Sequence, residues 1–280
     1  MQIIEVVTKR KDTLFGCWYG EDYRDTCVIV TNGTGGNIFE NKFARIMGEE
    51  LEKGKISFIY AHNSGAFQII DLPSENGSRS GLTFELFDNC VEDLQAYIEF
   101  AKAQGYKKIV LGGHSYGANK VVYYLYKTNS NDVDKYILIS PVDTQERTEG
   151  ERASDEEMYK LAKEYTRQGK TDEIIPILND GWNFYTACAY LDALENKNHY
   201  NLPVYNDKKN FNQLRSIKID GLFVMGERDI FGNGNTQKHL ETIKEYSNNE
   251  NNVVKVIENC GHTFSGKEKE LSRVIKDFVK

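Results

Sequence analysis

The chain has 280 residues, of which 40% are hydrophobic and 28% charged. This composition excludes collagen, coiled coil and wholesale disorder, and a chain of this length buries roughly 70–75% of its unfolded surface without needing disulfides or a metal. Its longest apolar runs, such as Cys27–Val30, fall short of the ~20 residues a membrane span requires, and the net charge of −7 argues against a nucleic-acid-binding surface or a polybasic membrane anchor.

The five cysteines, Cys17, Cys27, Cys90, Cys188 and Cys260, are far apart and include no Cys-x-x-Cys pair. Neither a disulfide framework nor a metal site is expected, and no cofactor. The N-terminus lacks a basic segment followed by an apolar one, so a reducing cytoplasm is the expected compartment. The sequons Asn32-Gly33-Thr34 and Asn76-Gly77-Ser78 are then chance matches.

In chain order, Ile3–Thr8 and Leu14–Tyr19 read as strands joined by the charged turn Lys9–Asp12. Thr26–Val30 is a continuous apolar run, the mark of a strand buried on both faces. It ends in Thr31-Asn32-Gly33-Thr34-Gly35-Gly36, with a helix expected from about Phe39 to Lys53. Lys55–Tyr60 is the next strand, and Ala61–Ser80 a long loop of the kind that often carries function. Phe87, Val91, Leu94, Ile98 and Ala101 form one helical stripe, with Gly105 placed as a C-cap. Lys108–Leu111 is a strand, Tyr116–Tyr126 a helix and Lys135–Ile139 a strand.

From Val142 to about Ser216 the strand–helix rhythm stops. Glu146–Glu157 is strongly charged and reads as solvated surface, followed by helical patterns at Met158–Arg167 and Asn183–Glu195 and by a high density of aromatics. The rhythm then resumes with strand Gly221–Met225, helix Thr236–Tyr246, strand Val253–Ile257 and a last helix bearing Leu271, Val274, Ile275 and Phe278 on one face. The fold class is α/β, a mostly parallel central sheet with helices on both faces.

One motif carries chemistry. Gly113-His114-Ser115-Tyr116-Gly117 lies between a strand and a helix, the context of a nucleophile elbow. The sharp turn presents the serine hydroxyl above the sheet and leaves no room for side chains two residues to either side. A serine hydroxyl needs an adjacent base. His262, between the strand Val253–Ile257 and the last helix, stands at the C-terminal sheet edge with Ser115. The orienting acid is Asp229, after the strand Gly221–Met225, with Asp143, after Lys135–Ile139, as its competitor. The order Ser115, Asp229, His262 is that of a hydrolase triad. Oxyanion donors are expected from the backbone N–H of Tyr116 and of Thr34 in the glycine-rich loop. That loop has neither G-x-G-x-x-G nor a Walker lysine, which sets nucleotide binding aside.

On these residues the chain resembles the α/β-hydrolase superfamily, serine carboxylesterase type. The loop Asn32–Asn37 is similar to the family's His-Gly-x-x-Gly-Asn oxyanion loop, with Asn32 in place of the histidine. The resemblance covers residues 1–141 and 217–280 as a hydrolase core. It implies that residues 142–216 are a helical cap inserted after the sixth strand, and it extends more narrowly to cinnamoyl/feruloyl-esterase-like and siderophore-esterase-like enzymes. The expected activity is hydrolysis of a small-molecule carboxylic ester through an acyl-enzyme. Peptidase or amidase, thioesterase and acyltransferase chemistry remain open, and a non-catalytic receptor on a hydrolase scaffold is the alternative from another class. Gly33, His62, Trp182 and Tyr185 are the expected substrate contacts.

Overall fold

The structure, a computed structural model, describes residues 1–73, 78–145, 155–179, 181–207 and 209–280. Strand β3 (Thr26–Thr31) shows how one apolar run builds two layers. Its successive side chains point to opposite sheet faces, so Cys27 and Ile29 join the core on one side and Val28 and Val30 the core on the other. It lies between β4 (Ser57–Ala61) and β7 (Lys108–His114), parallel to both. Strands β8 (Lys135–Ile139), β9 (Asp220–Gly226) and β10 (Val253–Ile257) continue the parallel sheet. At the other side β1 (Gln2–Val7) and β2 (Thr13–Tyr19) form an antiparallel hairpin, and β2 pairs antiparallel with β4. The eight strands run in the order β1-β2-β4-β3-β7-β8-β9-β10.

Helices α2 (Cys90–Ala103), α3 (Tyr116–Thr128), α6 (Asn212–Ser216) and α7 (Thr236–Tyr246) cover one face with Leu94, Ile98, Val121, Leu214 and Leu240. Helices α1 (Lys42–Lys53) and α8 (Glu268–Val279) cover the other with Phe43, Met47, Leu51, Leu271 and Ile275. Each such fully buried side chain contributes roughly 1.5–3 kcal/mol of transfer free energy. Gly105 has φ +81° just past α2, the left-handed conformation expected of a C-cap glycine.

Local polar groups move some boundaries from their expected places. Helix α1 starts at Lys42 and not at Phe39, because the Asn37 side-chain oxygen accepts from the N–H groups of Phe39 and Glu40 at 3.0 and 3.2 Å and holds a turn there. The long loop after β4 contains a small hairpin, β5 (Ile70–Leu72) with β6 (Ser78–Ser80). Asn76 and Gly77 of the second sequon lie outside the described residues, as do residues 146–154 of the charged stretch.

The segment after β8, the sixth strand of the main sheet in chain order, is divided in two by its packing. Helices α4 (Glu156–Arg167) and α5 (Ala187–Glu195) pack in a small separate cluster of Met158, Ala162, Ile175, Tyr190 and Leu194, which Leu82 joins from the stretch before α2. From Leu202 onward the chain is back in the main core: Leu202, Val204, Phe211 and Leu214 pack with the helices on the sheet. Packing into the main core thus resumes at Leu202, inside the segment 142–216 expected to be a cap. Helix α5 also begins later than Asn183, since Asn183 and Thr186 make bridges with Asn179 and Ile174, and the Thr186 hydroxyl caps the helix by accepting from the Ala189 N–H.

Candidate active site

Strand β7 ends at His114 and α3 begins at Tyr116, leaving Ser115 alone in the turn with φ +56° and ψ −127°. A non-glycine residue held there stores on the order of 1–3 kcal/mol of strain and persists only where its surroundings impose it. A hydrogen bond from the Ser115 N–H to the Ile139 carbonyl at 2.8 Å contributes. The flanking glycines are required by space: a Cβ on Gly113 would lie 2.1 Å from the Gly117 carbonyl oxygen, and one on Gly117 would lie 2.7 Å from that of Asn32.

His262 follows β10 and Asp229 follows β9, so two adjacent parallel strands deliver both side chains to the sheet edge where Ser115 stands. His262 Nδ1 is 3.0 Å from each Asp229 carboxylate oxygen. Asp229 is buried, and its Oδ1 also accepts from the Phe231 N–H at 3.1 Å. Burial pushes the Asp229 carboxyl up, but hydrogen bonding and charge from His262, aided by Ser140 and the Phe231 N–H, outweigh it and hold the carboxyl below its ordinary value. Asp143, the competing acid, instead accepts from the N–H groups of Tyr205 and Gln145 at 2.8 and 3.1 Å. No hydrogen bond joins the Ser115 hydroxyl to His262 within 3.5 Å; such links often tighten only when substrate binds.

His114 turns away from the serine. Its Nε2–H donates to the His262 carbonyl at 2.9 Å, and its ring packs on Phe43 and His262 at 4.7 and 4.8 Å. Because a carbonyl only accepts, this bond places the proton on Nε2. Burial, with a smaller effect of the neighbouring His262, pushes His114 down to about 3, so it stays neutral.

The glycine-rich loop after β3 runs directly against the elbow. A Cβ on Gly33 would lie 2.8 Å from both the Ser115 Cβ and the His114 carbonyl oxygen. The loop is held by a buried network of two asparagines. Asn32 Nδ2 donates to the Gly33 carbonyl at 2.8 Å, the Asn63 N–H donates to Asn32 Oδ1 at 2.9 Å, and Asn63 Nδ2 donates to the Thr31 hydroxyl at 2.9 Å. Asn32 is thus a structural tie for the loop. Asn63, expected with His62 to face the pocket from the long loop after the strand, instead ties that loop to Thr31 and Asn32.

A cleft opens beside these residues, with about 520 Å³ of empty space that includes open solvent. Thr34 and Tyr116 line it from the core, Glu85 and Phe87 from the stretch before α2, and Tyr185, Asp192 and His199 from the segment after β8. Of the expected substrate contacts Tyr185 lines this cleft, while Gly33, His62 and Trp182 do not. His62 is buried away from this cleft, where its Nε2 accepts from the Ile38 N–H at 3.0 Å and burial pushes it down to about 4; it supports the loop after β3. Trp182 is 83% exposed and does not line the cleft. Among the described residues no cluster of three His, Cys, Asp or Glu side chains forms a metal site, and no helix is long and apolar enough to cross a membrane.

A parallel sheet of this order, with a strained serine after its central strand and the His–Asp pair after its last two, is the α/β-hydrolase fold. Three solved structures share it. DcsB, solved with a substrate analogue, has 14% identity and a TM-score of 0.73 over 99% of this chain and 97% of its own. Est1E from Butyrivibrio proteoclasticus, solved with ferulic acid, has 12% identity and a TM-score of 0.65 over 99% and 97%. The Pyrococcus furiosus esterase Pf2001 has 18% identity and a TM-score of 0.62 over 99% and 91%. A comparison with curated proteins found no match. The chain belongs to the family described as "protein of unknown function (DUF1749)", whose pattern matches residues 67–279.

Proposed function

We propose that this protein is a serine hydrolase of small-molecule carboxylic esters. The observation that carries the reading is the His262–Asp229 pair, hydrogen-bonded at 3.0 Å, on the sheet edge that also holds Ser115 at φ +56°. The Ser115 Oγ attacks the ester carbonyl while His262 Nε2 takes its proton. Asp229 holds the Nδ1–H tautomer and stabilises the imidazolium. The N–H groups of Thr34 and Tyr116, the second at the N-terminus of α3, receive the oxyanion. Collapse breaks the C–O bond, and His262 returns its proton to the leaving alkoxide. Water, deprotonated by His262, then attacks the acyl-enzyme, and the acid departs as Ser115 regains its proton. No cofactor takes part in this scheme.

The segment carrying α4 and α5 acts in this reading as a lid, since Tyr185, Asp192 and His199 close the cleft from that side. The esterases among the solved structures of this fold support the choice of bond. The cytoplasm is the proposed compartment, in keeping with five free cysteines, four of them buried. The test is a fluorophosphonate probe and a panel of 4-nitrophenyl esters, thioesters and aminoacyl amides. Wild type is expected to be labelled and to prefer esters, and Ser115→Ala to lose both labelling and turnover with an unchanged melting temperature. Undiminished turnover in Ser115→Ala overturns the proposal, and a preference for amides or thioesters moves it to that bond.

A further inference from the structure

The cleft beside Ser115 carries a charge pattern that ester chemistry does not need. Two carboxylates line it, Glu85 and Asp192, among the aromatic rings of Phe87, Tyr116 and Tyr185. Glu85 is partnered from behind by Lys120, which is fully buried and also lies over the Tyr116 ring, with its Nζ 5.1 Å from the centroid. That pair is neutral as a unit. Asp192 is not compensated in this way: its Oδ2 accepts from the Phe87 N–H at 2.7 Å and its Oδ1 from the Asn196 amide at 3.0 Å. A carboxylate offers about four lone-pair sites, so Asp192 keeps acceptor capacity beyond these two bonds. Burial pushes the carboxyls of both Glu85 and Asp192 up, against the opposing pull of Lys120 on Glu85 and of the Phe87 N–H and the Asn196 amide on Asp192.

Resting on the serine-hydrolase reading, we propose that the substrate carries a primary ammonium group, bound in this cleft against Asp192. A cation is attracted both by carboxylates and by the faces of aromatic rings, and the cleft supplies the two together. Lys120 shows the same recognition within the fold, since its ammonium is held by the Glu85 carboxylate and the Tyr116 ring. Thr34 and Tyr116, the proposed oxyanion donors, line the same cleft, which puts the ammonium and the scissile carbonyl on one short substrate. A purely apolar acyl group would further desolvate the half-buried Asp192 carboxylate while offering no donor to its remaining lone pairs, which is unfavourable.

The test measures binding to Ser115→Ala by calorimetry, so that it does not depend on turnover. The probes are ethyl esters of six-carbon acids ending in an ammonium, a hydroxyl or a methyl group, with a matching set of acetates carrying the same ends on the alcohol. In one set the ammonium compound is expected to bind about tenfold or more tighter than its hydroxyl and methyl counterparts. That preference is expected to fall to near unity when Asp192→Asn is added. Ala193→Lys, which places an ammonium in the cleft, is a second variant expected to abolish it. Equal or tighter binding of the neutral compounds in both sets overturns the proposal, as does a preference that survives Asp192→Asn and Ala193→Lys. Failure of the serine-hydrolase reading would show separately, as wild type that hydrolyses none of these esters and takes no fluorophosphonate.

Discussion

Replacing Asp229 by asparagine tests how the His262 ring is held. The carboxylate faces Nδ1 with both oxygens at 3.0 Å and accepts the Phe231 N–H with Oδ1. In Asp229→Asn the amide oxygen keeps the Phe231 bond, and the amide N–H₂ faces Nδ1. A donor there makes Nδ1 an acceptor and moves the ring proton to Nε2, the atom that must take the serine proton. The base is then in the wrong tautomer, and the imidazolium loses its counter-charge. The two effects together are worth on the order of 10⁴ in kcat, about 5.5 kcal/mol of barrier. Steady-state hydrolysis of a 4-nitrophenyl ester is the assay, with the melting temperature and the rate of fluorophosphonate labelling followed in parallel. KM should move only a few-fold, because Asp229 does not line the cleft. A kcat within about tenfold of wild type in folded protein would refute the reasoning. Asp143→Asn serves as the control: Asp143 accepts from the Tyr205 and Gln145 N–H groups, and a large loss of kcat there would transfer the acid's role to Asp143.

Two further outcomes are expected. His62, His114 and His239 are buried and pushed down to about 4, 3 and 4, chiefly by burial, so the unfolded chain binds protons that the folded one does not. Stability should be full above the ordinary histidine value of ~6.5 and fall as the pH drops from there towards 4, by up to about 1.4 kcal/mol per pH unit for each histidine. Urea denaturation at pH 7, 6 and 5 measures this, and His239→Gln should make the dependence shallower; stability that is flat or rises on acidification contradicts it. Gly33→Ala puts a methyl 2.8 Å from the Ser115 Cβ and the His114 carbonyl, so the loop bearing the Thr34 N–H must shift. A fall of ~10²–10³ in kcat with KM little changed is expected, as for loss of one oxyanion donor; wild-type kcat would separate Thr34 from the oxyanion hole.

Much of this site could be read from local sequence because its constraints are local. Gly113 and Gly117 are imposed by a turn whose backbone leaves no space for a Cβ, and Ser115 sits between a strand and a helix that their own apolar patterns identify. Asp229 and His262 each follow a buried strand, and the ends of parallel strands share one edge of a sheet. The order of the strands that precede them therefore puts all three residues at one edge of the sheet.

Other features were settled by contacts between segments distant in sequence. Asp143 and Asp229 occupy equivalent places after their strands, and only the pairing of Asp143 with Tyr205 and of Asp229 with His262 separates them. His62, in the long loop after β4, and Trp182, an aromatic of the expected cap, were both expected to touch substrate, yet one is buried under the glycine-rich loop and the other faces solvent. The return of the chain to the main core at Leu202 depends on packing against α3 and the sheet. The approach of Glu85, Lys120 and Asp192 joins three elements with no common motif. Turn geometry and strand ends depend on neighbouring residues and are written locally. Burial and charge pairing depend on what the folded chain brings near, and for those the tertiary structure decides.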